Sequence, residues 1–126
     1  MKNSISYLFC LIIIGCTLPE SDKLPFGEGS RYPHLTKNYS GGLLVSWFEP
    51  VDSTTFGLFW SEYDKGVWSK PGLIYSSGDF FINWADFPSI FHFRDSVFVA
   101  HWPEMSSTGT YDYDVKLAFS MDRGLS

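Results

Sequence analysis

Leu43-Leu44-Val45-Ser46-Trp47-Phe48-Glu49 and Phe98-Val99-Ala100-His101-Trp102-Pro103-Glu104 stand 55 residues apart. Trp47 and Glu49 of the first stretch recur as Trp102 and Glu104 of the second. Pro33-His34-Leu35 recurs at the same offset as Pro88-Ser89-Ile90. Ser61 pairs with Ser120 at an offset of 59, which places four extra residues of the second copy in the 106–110 loop. A repeat of this kind has to be read before anything else, because it sets the architecture.

From Arg31 onward no segment keeps helical periodicity over the dozen residues a helix needs. Apolar, β-branched and aromatic runs alternate instead with Gly, Asp, Ser and Pro clusters, the pattern of short strands and turns. Strands are expected over 32–36, 43–48, 55–61, 72–75, 89–93, 97–102 and 113–120, with short turns at 38–42 and 94–96. Asp64-Lys65-Gly66 and Asp122-Arg123-Gly124 are Asp-x-Gly turns. In such turns Asp accepts backbone N–H bonds and Gly permits φ > 0. The class is all-β. Four short strands repeating at about 50 residues describe a β-propeller blade, and two blades fit here. A β-sandwich also places strands every 8–12 residues or so. It offers no reason for a proline, a tryptophan and a glutamate to recur at one offset.

The chain has 126 residues, which allows at most one domain. Aromatics make up 19% and charged residues 18%, a composition able to bury a core. The net charge is −5 with no basic run, so there is no electrostatic case for nucleic acid as a partner. Two cysteines cannot make a disulfide-dense miniprotein.

Lys2 is the only charge in residues 1–16, and 8–14 is an unbroken apolar run ending at Gly15-Cys16. That order is a secretory signal, and the run is too short to span a membrane. Ile13-Ile14-Gly15-Cys16 resembles a bacterial lipobox, with Ile14 where a small residue is usual. The resemblance implies a signal peptide over 1–15, acylation of Cys16 and a membrane partner through that lipid. It implies localisation at the bacterial cell envelope. Residues 16–29 read as a polar tether and 30–126 as the folded part. Loss of Lys2 with the signal moves the charge from −5 to −6.

Ser120-Met121-Asp122-Arg123-Gly124-Leu125-Ser126 resembles the Asp box of bacterial neuraminidase repeats, a Ser-x-Asp-x-Gly-x-Ser/Thr-Trp turn. Ser61, Asp64, Gly66 and Trp68 form a degenerate copy, with one residue more before the Asp and one fewer before the Trp. In that family these boxes lie on the propeller rim, so Ser120, Asp122 and Gly124 are structural residues. Residues 30–126 look like the first two blades of a sialidase-like propeller. The chain ends one position before the expected Trp, which reads as a cut within the second repeat.

What the resemblance implies for chemistry is an exo-sialidase-like glycoside hydrolase, or a protein that binds terminal sialic acid glycans, with no cofactor and no metal. Sialidase chemistry grips a sugar carboxylate with arginines and protonates the leaving oxygen with a carboxylic acid. Its nucleophile is a tyrosine. Arg31-Tyr32-Pro33 resembles the family's early arginine motif, with Tyr32 in place of an aliphatic residue, so Arg31 is the substrate-binding candidate. Glu49, or Asp52 in the same loop, is the candidate acid/base, outside the family's Ala-Asp-x-Arg context. Asp86 in Trp84-Ala85-Asp86-Phe87-Pro88 matches an aspartate that contacts substrate, and it stands 55 residues after Arg31. Trp47 and Trp84 are able to stack on sugar faces, although propeller aromatics more often pack between blades. The alternative function is a non-catalytic propeller binding glycan or protein.

Overall fold

The computed structural model describes residues 23–126, so the signal segment and Cys16 lie outside the described residues. Eight strands form two antiparallel sheets: β1 (Arg31–Lys37), β2 (Leu43–Pro50), β3 (Phe56–Asp64), β4 (Val67–Trp68), β5 (Gly72–Ser77), β6 (Ser89–Arg94), β7 (Val97–Met105) and β8 (Tyr113–Ser120). The first sheet runs β1-β2-β3, with β4 and β5 both paired to β3. The second runs β6-β7-β8. The fold is all-β, and neither sheet closes on itself. The fourth strand of the first sheet is therefore split in two. The second sheet has three strands among the described residues, one fewer than a full blade.

The sheets pack face to face. Leu44, Phe48 and Leu58 of the first meet Ile90, Phe98, Ala100 and Trp102 of the second. Phe80 and Trp60 fill the ends of this layer: Phe80 lies 4.8 Å from the Phe48 ring, and Trp60 meets Phe98 edge-on at 5.0 Å. A strand's side chains alternate faces, so β2 sends Leu44, Ser46 and Phe48 to this layer and Val45 and Trp47 to the other side. All five are fully buried. On the far side residues 24–30 reach Trp47 and Glu49. Phe26 meets Trp47 edge-on at 5.0 Å, and Trp47 stacks on its cross-strand neighbour Phe59 at 6.0 Å.

Strand register reproduces the sequence repeat. His34 lies opposite Ser46 and Leu35 opposite Val45; 55 residues on, Ser89 lies opposite His101 and Ile90 opposite Ala100. The third strands keep a different offset. Leu43 faces Tyr63, whereas Phe98 faces Ser120, so Ser120 is the counterpart of Tyr63 and not of Ser61. The offset is 57 and the second copy is longer by two residues, not four. The difference arises in the loop before the third strand, which is 51–55 between paired Pro50 and Phe56 but 106–112 between paired Met105 and Tyr113. Lys65 and Gly66, both at positive φ (51° and 86°), make a two-residue hairpin between paired Asp64 and Val67. This is the tight turn that suits the strand twist.

The faces are used head to tail. The first sheet's Leu44/Ser46/Phe48 face is buried by the second sheet's Phe98/Ala100/Trp102 face. The second sheet's counterpart of 44, 46 and 48 is Val99, His101 and Pro103, and among the described residues that face carries no third sheet. Around it Phe91, Val115, Leu117 and Phe119 are 46%, 63%, 62% and 67% exposed.

Phe48→Ala is expected to lower stability in urea unfolding by about 3–5 kcal/mol, the range for a buried aromatic truncated in a core. Leu117→Ser, on the uncovered face, is expected to change stability by less than about 0.5 kcal/mol while reducing self-association in sedimentation.

Candidate functional site

Residues 83–88 connect the first sheet to β6 and build a rigid loop from one side chain. Asn83 Oδ1 accepts the N–H groups of Ala85 at 2.7 Å and Asp86 at 3.0 Å, and Asn83 Nδ2 donates to Asp86 Oδ2 at 3.0 Å. Asn folds such turns because its short amide reaches its own downstream backbone. Fully buried Pro88 ends the loop, and its carbonyl accepts the Ser46 hydroxyl at 3.2 Å. Asp86 is thereby held at the junction of the two sheets.

On one side of Asp86 an open cleft of about 380 Å³ is lined by His34, Phe87, Ser89, His101 and Tyr113 among others. Ser89 Oγ and His34 Nδ1 share a hydrogen bond of 2.8 Å, and Phe87 stacks on the His34 ring at 6.4 Å. Burial lowers the pKa of His101, and the positive charge of nearby His34 lowers it further. On the other side of Asp86 a second cleft of about 340 Å³ is lined by Phe81, Asn83, Trp84, Thr110 and Tyr111. Few polar groups set among aromatic walls, in a concave site, are the usual make-up of a small-ligand pocket. Among the described residues no group of three or more His, Cys, Asp or Glu is placed to hold a metal ion.

No family model, curated protein or solved structure matches this chain.

The two clefts beside Asp86 include neither Arg31 nor Glu49. Arg31 is exposed and places its guanidinium 5.3 Å from the centre of the Phe56 ring. Its neighbour Tyr32 has φ of 50° within a bulge of the β1–β2 pairing. A non-glycine residue there is strained by about 1–3 kcal/mol. Glu49 Oε2 accepts three bonds, from Gly27 N–H at 2.8 Å, Ser30 Oγ at 2.9 Å and Trp47 Nε1 at 2.9 Å. Desolvation raises its pKa, but the bonds from Trp47, Gly27 and Ser30 together outweigh it, leaving the value below the usual glutamate range. A general acid needs the opposite shift. Here Glu49 fastens residues 27–30, the end of the stretch read as a tether, to the first sheet. Asp52 caps its own loop by accepting the N–H groups of Thr54 at 2.8 Å and Thr55 at 2.9 Å.

The turn after β8 is organised by its aspartate. Asp122 Oδ1 accepts Ser120 Oγ at 2.7 Å and the N–H groups of Leu125 and Ser126, both at 3.1 Å; Oδ2 accepts Ser126 Oγ at 2.6 Å. Bonds from the Ser126 and Ser120 hydroxyls lower its pKa to about 2. Gly124 sits at φ 78°, and a Cβ there would meet the Trp60 ring at 2.6 Å, so no larger residue fits. Arg123 donates to Glu62 of the first sheet at 2.9 Å, which makes the turn a clasp between sheets. In the earlier turn Ser61 Oγ bonds Ser69 O at 2.8 Å, and Tyr63 packs against Trp68 at 5.0 Å. Asp64 makes no side-chain hydrogen bond among the described residues, so that turn is held by its backbone and rings.

Glu49, with its folded pKa depressed, stabilises the attachment of residues 27–30 fully above the ordinary glutamate value of 4.5 and loses it as pH falls through the folded value. Hydrogen exchange at the Gly27 amide, corrected for its intrinsic rate, is therefore expected to accelerate as pH falls below 4.5 and through the depressed folded value. In Glu49→Gln that acid-dependent step is expected to vanish.

Proposed function

We propose that the two sheets are successive blades of a sialidase-type β-propeller, carried on a cell-envelope lipoprotein, that binds a terminal sialic acid-like glycan through the Asp86 region. The observation that carries the propeller part is the equivalence of register and face. Paired residues recur 55 apart, and each sheet offers one face forward and the opposite face back. Two sheets of a sandwich bury the same kind of face against each other and leave both outer faces to water. Here the second sheet's forward face is apolar and uncovered around Leu117 and Phe119, the surface a following blade would bury, while its Phe91, His101, Pro103 and Val115 end walls the larger cleft beside Asp86.

Asp86 carries the glycan part. Its loop is fixed by Asn83, it stands where the inner strands of both sheets meet, and it separates two clefts with aromatic walls. Binding is favoured over hydrolysis. Glu49 is occupied by three donors with its pKa lowered, and Arg31 lies outside the clefts beside Asp86. The membrane attachment rests on Cys16 and the apolar run before it.

Titration calorimetry of the full chain with N-acetylneuraminic acid is expected to show saturable binding. Asp86→Ala should weaken it about tenfold, equivalent to ~1.4 kcal/mol, and a fluorogenic sialoside should release no fluorophore. Equal binding by wild type and Asp86→Ala would remove the assignment of this residue. Labelled palmitate is expected to enter the chain in bacteria and to be lost in Cys16→Ser; retention of label in that variant would sink the lipoprotein reading.

A further inference from the structure

We infer that the cleft between Trp84 and Tyr111 is a second sugar subsite, which takes a neutral pyranose next to the acidic terminal sugar. The inference rests on the glycan reading above and adds a site and a ligand class to it.

Trp84 is 79% exposed and Tyr111 is 80% exposed, yet both are carried on loops held by local hydrogen bonds. Trp84 stands at the head of the Asn83 turn, between Asn83 and the two N–H groups that Asn83 accepts. Tyr111 follows a turn in which Asp112 N–H donates to Gly109 O at 3.2 Å and Ser106 N–H donates to Asp112 O at 2.9 Å. Phe81 lies between them. It stacks on Tyr113 at 4.3 Å, meets Tyr111 edge-on at 6.4 Å and is pinned by its own N–H to Pro103 O at 3.1 Å. Trp84 has no ring partner among the described residues. Two large rings are thus presented to water on supports that already have their final shape, so a ligand would not have to order them.

The polar members of this cleft are Asn83, Asp86 and Thr110. Asp86 Oδ2 is taken by Asn83, while Oδ1 has no hydrogen bond among the described residues. Aromatic faces with a few hydrogen-bonding groups at their rim match a pyranose ring, which has one face of C–H groups and an edge of hydroxyls. They match an extended peptide less well, since none of the lining residues belongs to a strand. The cleft holds no cationic side chain. A neutral sugar suits it better than an anionic one. Asp86 borders both clefts, so two adjoining sugar residues would pass on either side of the same carboxylate.

The test compares N-acetylneuraminic acid, 3′-sialyllactose and lactose on the full chain by titration calorimetry. The trisaccharide is expected to bind about tenfold more tightly than the monosaccharide. Trp84→Ala and Tyr111→Ala should each remove most of that advantage, with a smaller effect on the monosaccharide. Both residues are exposed, and an unchanged far-ultraviolet dichroism spectrum with an unchanged urea midpoint would confirm that the variants remain folded. Wild type showing no advantage, or both variants retaining it, overturns the subsite. Lactose bound by wild type but not by Trp84→Ala, with N-acetylneuraminic acid unbound, upholds the subsite and overturns the acidic-sugar reading. Binding of none of the three overturns both.

Discussion

Strand β2 is buried on both faces, and the rest of the molecule is arranged around that constraint. A strand in a half-exposed antiparallel sheet alternates apolar and polar residues. From Leu44 to Phe48 β2 does not, and no residue in that run touches water. Two layers are needed to cover it. One is the second sheet; the other is the segment through Phe26, which is why Glu49 holds Gly27 and Ser30. The single polar side chain in the run, Ser46, is compatible with this burial because its hydroxyl reaches the Pro88 carbonyl. Burial without that partner would cost about 1–3 kcal/mol. The Ser46–Pro88 contact also positions the 83–88 loop, so the strand core and the Asp86 clefts depend on the same packing.

The head-to-tail use of faces has an energetic consequence. Trp47 and Trp102 occupy equivalent positions, but their surroundings differ. Trp102 stacks on Tyr75 at 5.1 Å in the inter-sheet layer, and its indole N–H has no hydrogen-bond partner. Trp47 faces Phe26 and donates its N–H to Glu49. Residues 24–30 thus stand against the first sheet in the place where the second sheet has a neighbouring sheet. An interface of this kind is not self-complementary, because its two surfaces are different. The uncovered face around Val99 and His101 therefore has no equivalent partner left free within the described residues. Exposed, contiguous apolar side chains such as its Val115, Leu117 and Phe119 favour association.

Much of this was legible in the residues. The 55-residue offset gave the correct register for both inner strand pairs, and seven of the strand segments were located from alternation and turn chemistry. The misplacement of Ser61 against Ser120 came from matching residue types where turn length decides. Serine can close a turn onto an aspartate or onto a downstream carbonyl, and Ser61 does the latter. The short strand β4 had no signal, since Val67-Trp68 is a two-residue run that Ser69-Lys70-Pro71 separates from the strand expected over 72–75. Glu49 was read as chemistry because a carboxylate at a strand end looks free in one dimension. Its three donors come from 2, 19 and 22 residues away. The His34–Ser89 contact had a signal: the two occupy the same position of the repeat. Tyr111 had none, because its placement opposite Trp84 depends on how two irregular loops approach each other.

The distribution of charge bears on which end of a ligand each cleft would hold. The chain is acidic overall, with a net charge of −5. In the larger cleft the groups able to become cationic are His34 and His101, and they lie close enough for the charge on one to disfavour charge on the other. Burial depresses His101 further, so its imidazolium forms only below the ordinary histidine range. An anionic sugar entering beside it would favour that protonated form, because an opposite charge nearby raises a histidine's pKa. Proton uptake on binding follows from linkage: whatever raises the pKa of His101 is itself bound more tightly as pH falls. The smaller cleft has no such group, and its contribution would come from ring contact and hydroxyl bonds that do not titrate with a histidine. The carboxylate of Asp86 lies between the two regimes. With Oδ1 taking no hydrogen bond among the described residues, it would accept hydroxyls of a sugar in either cleft, while its charge would disfavour an anionic group placed close beside it.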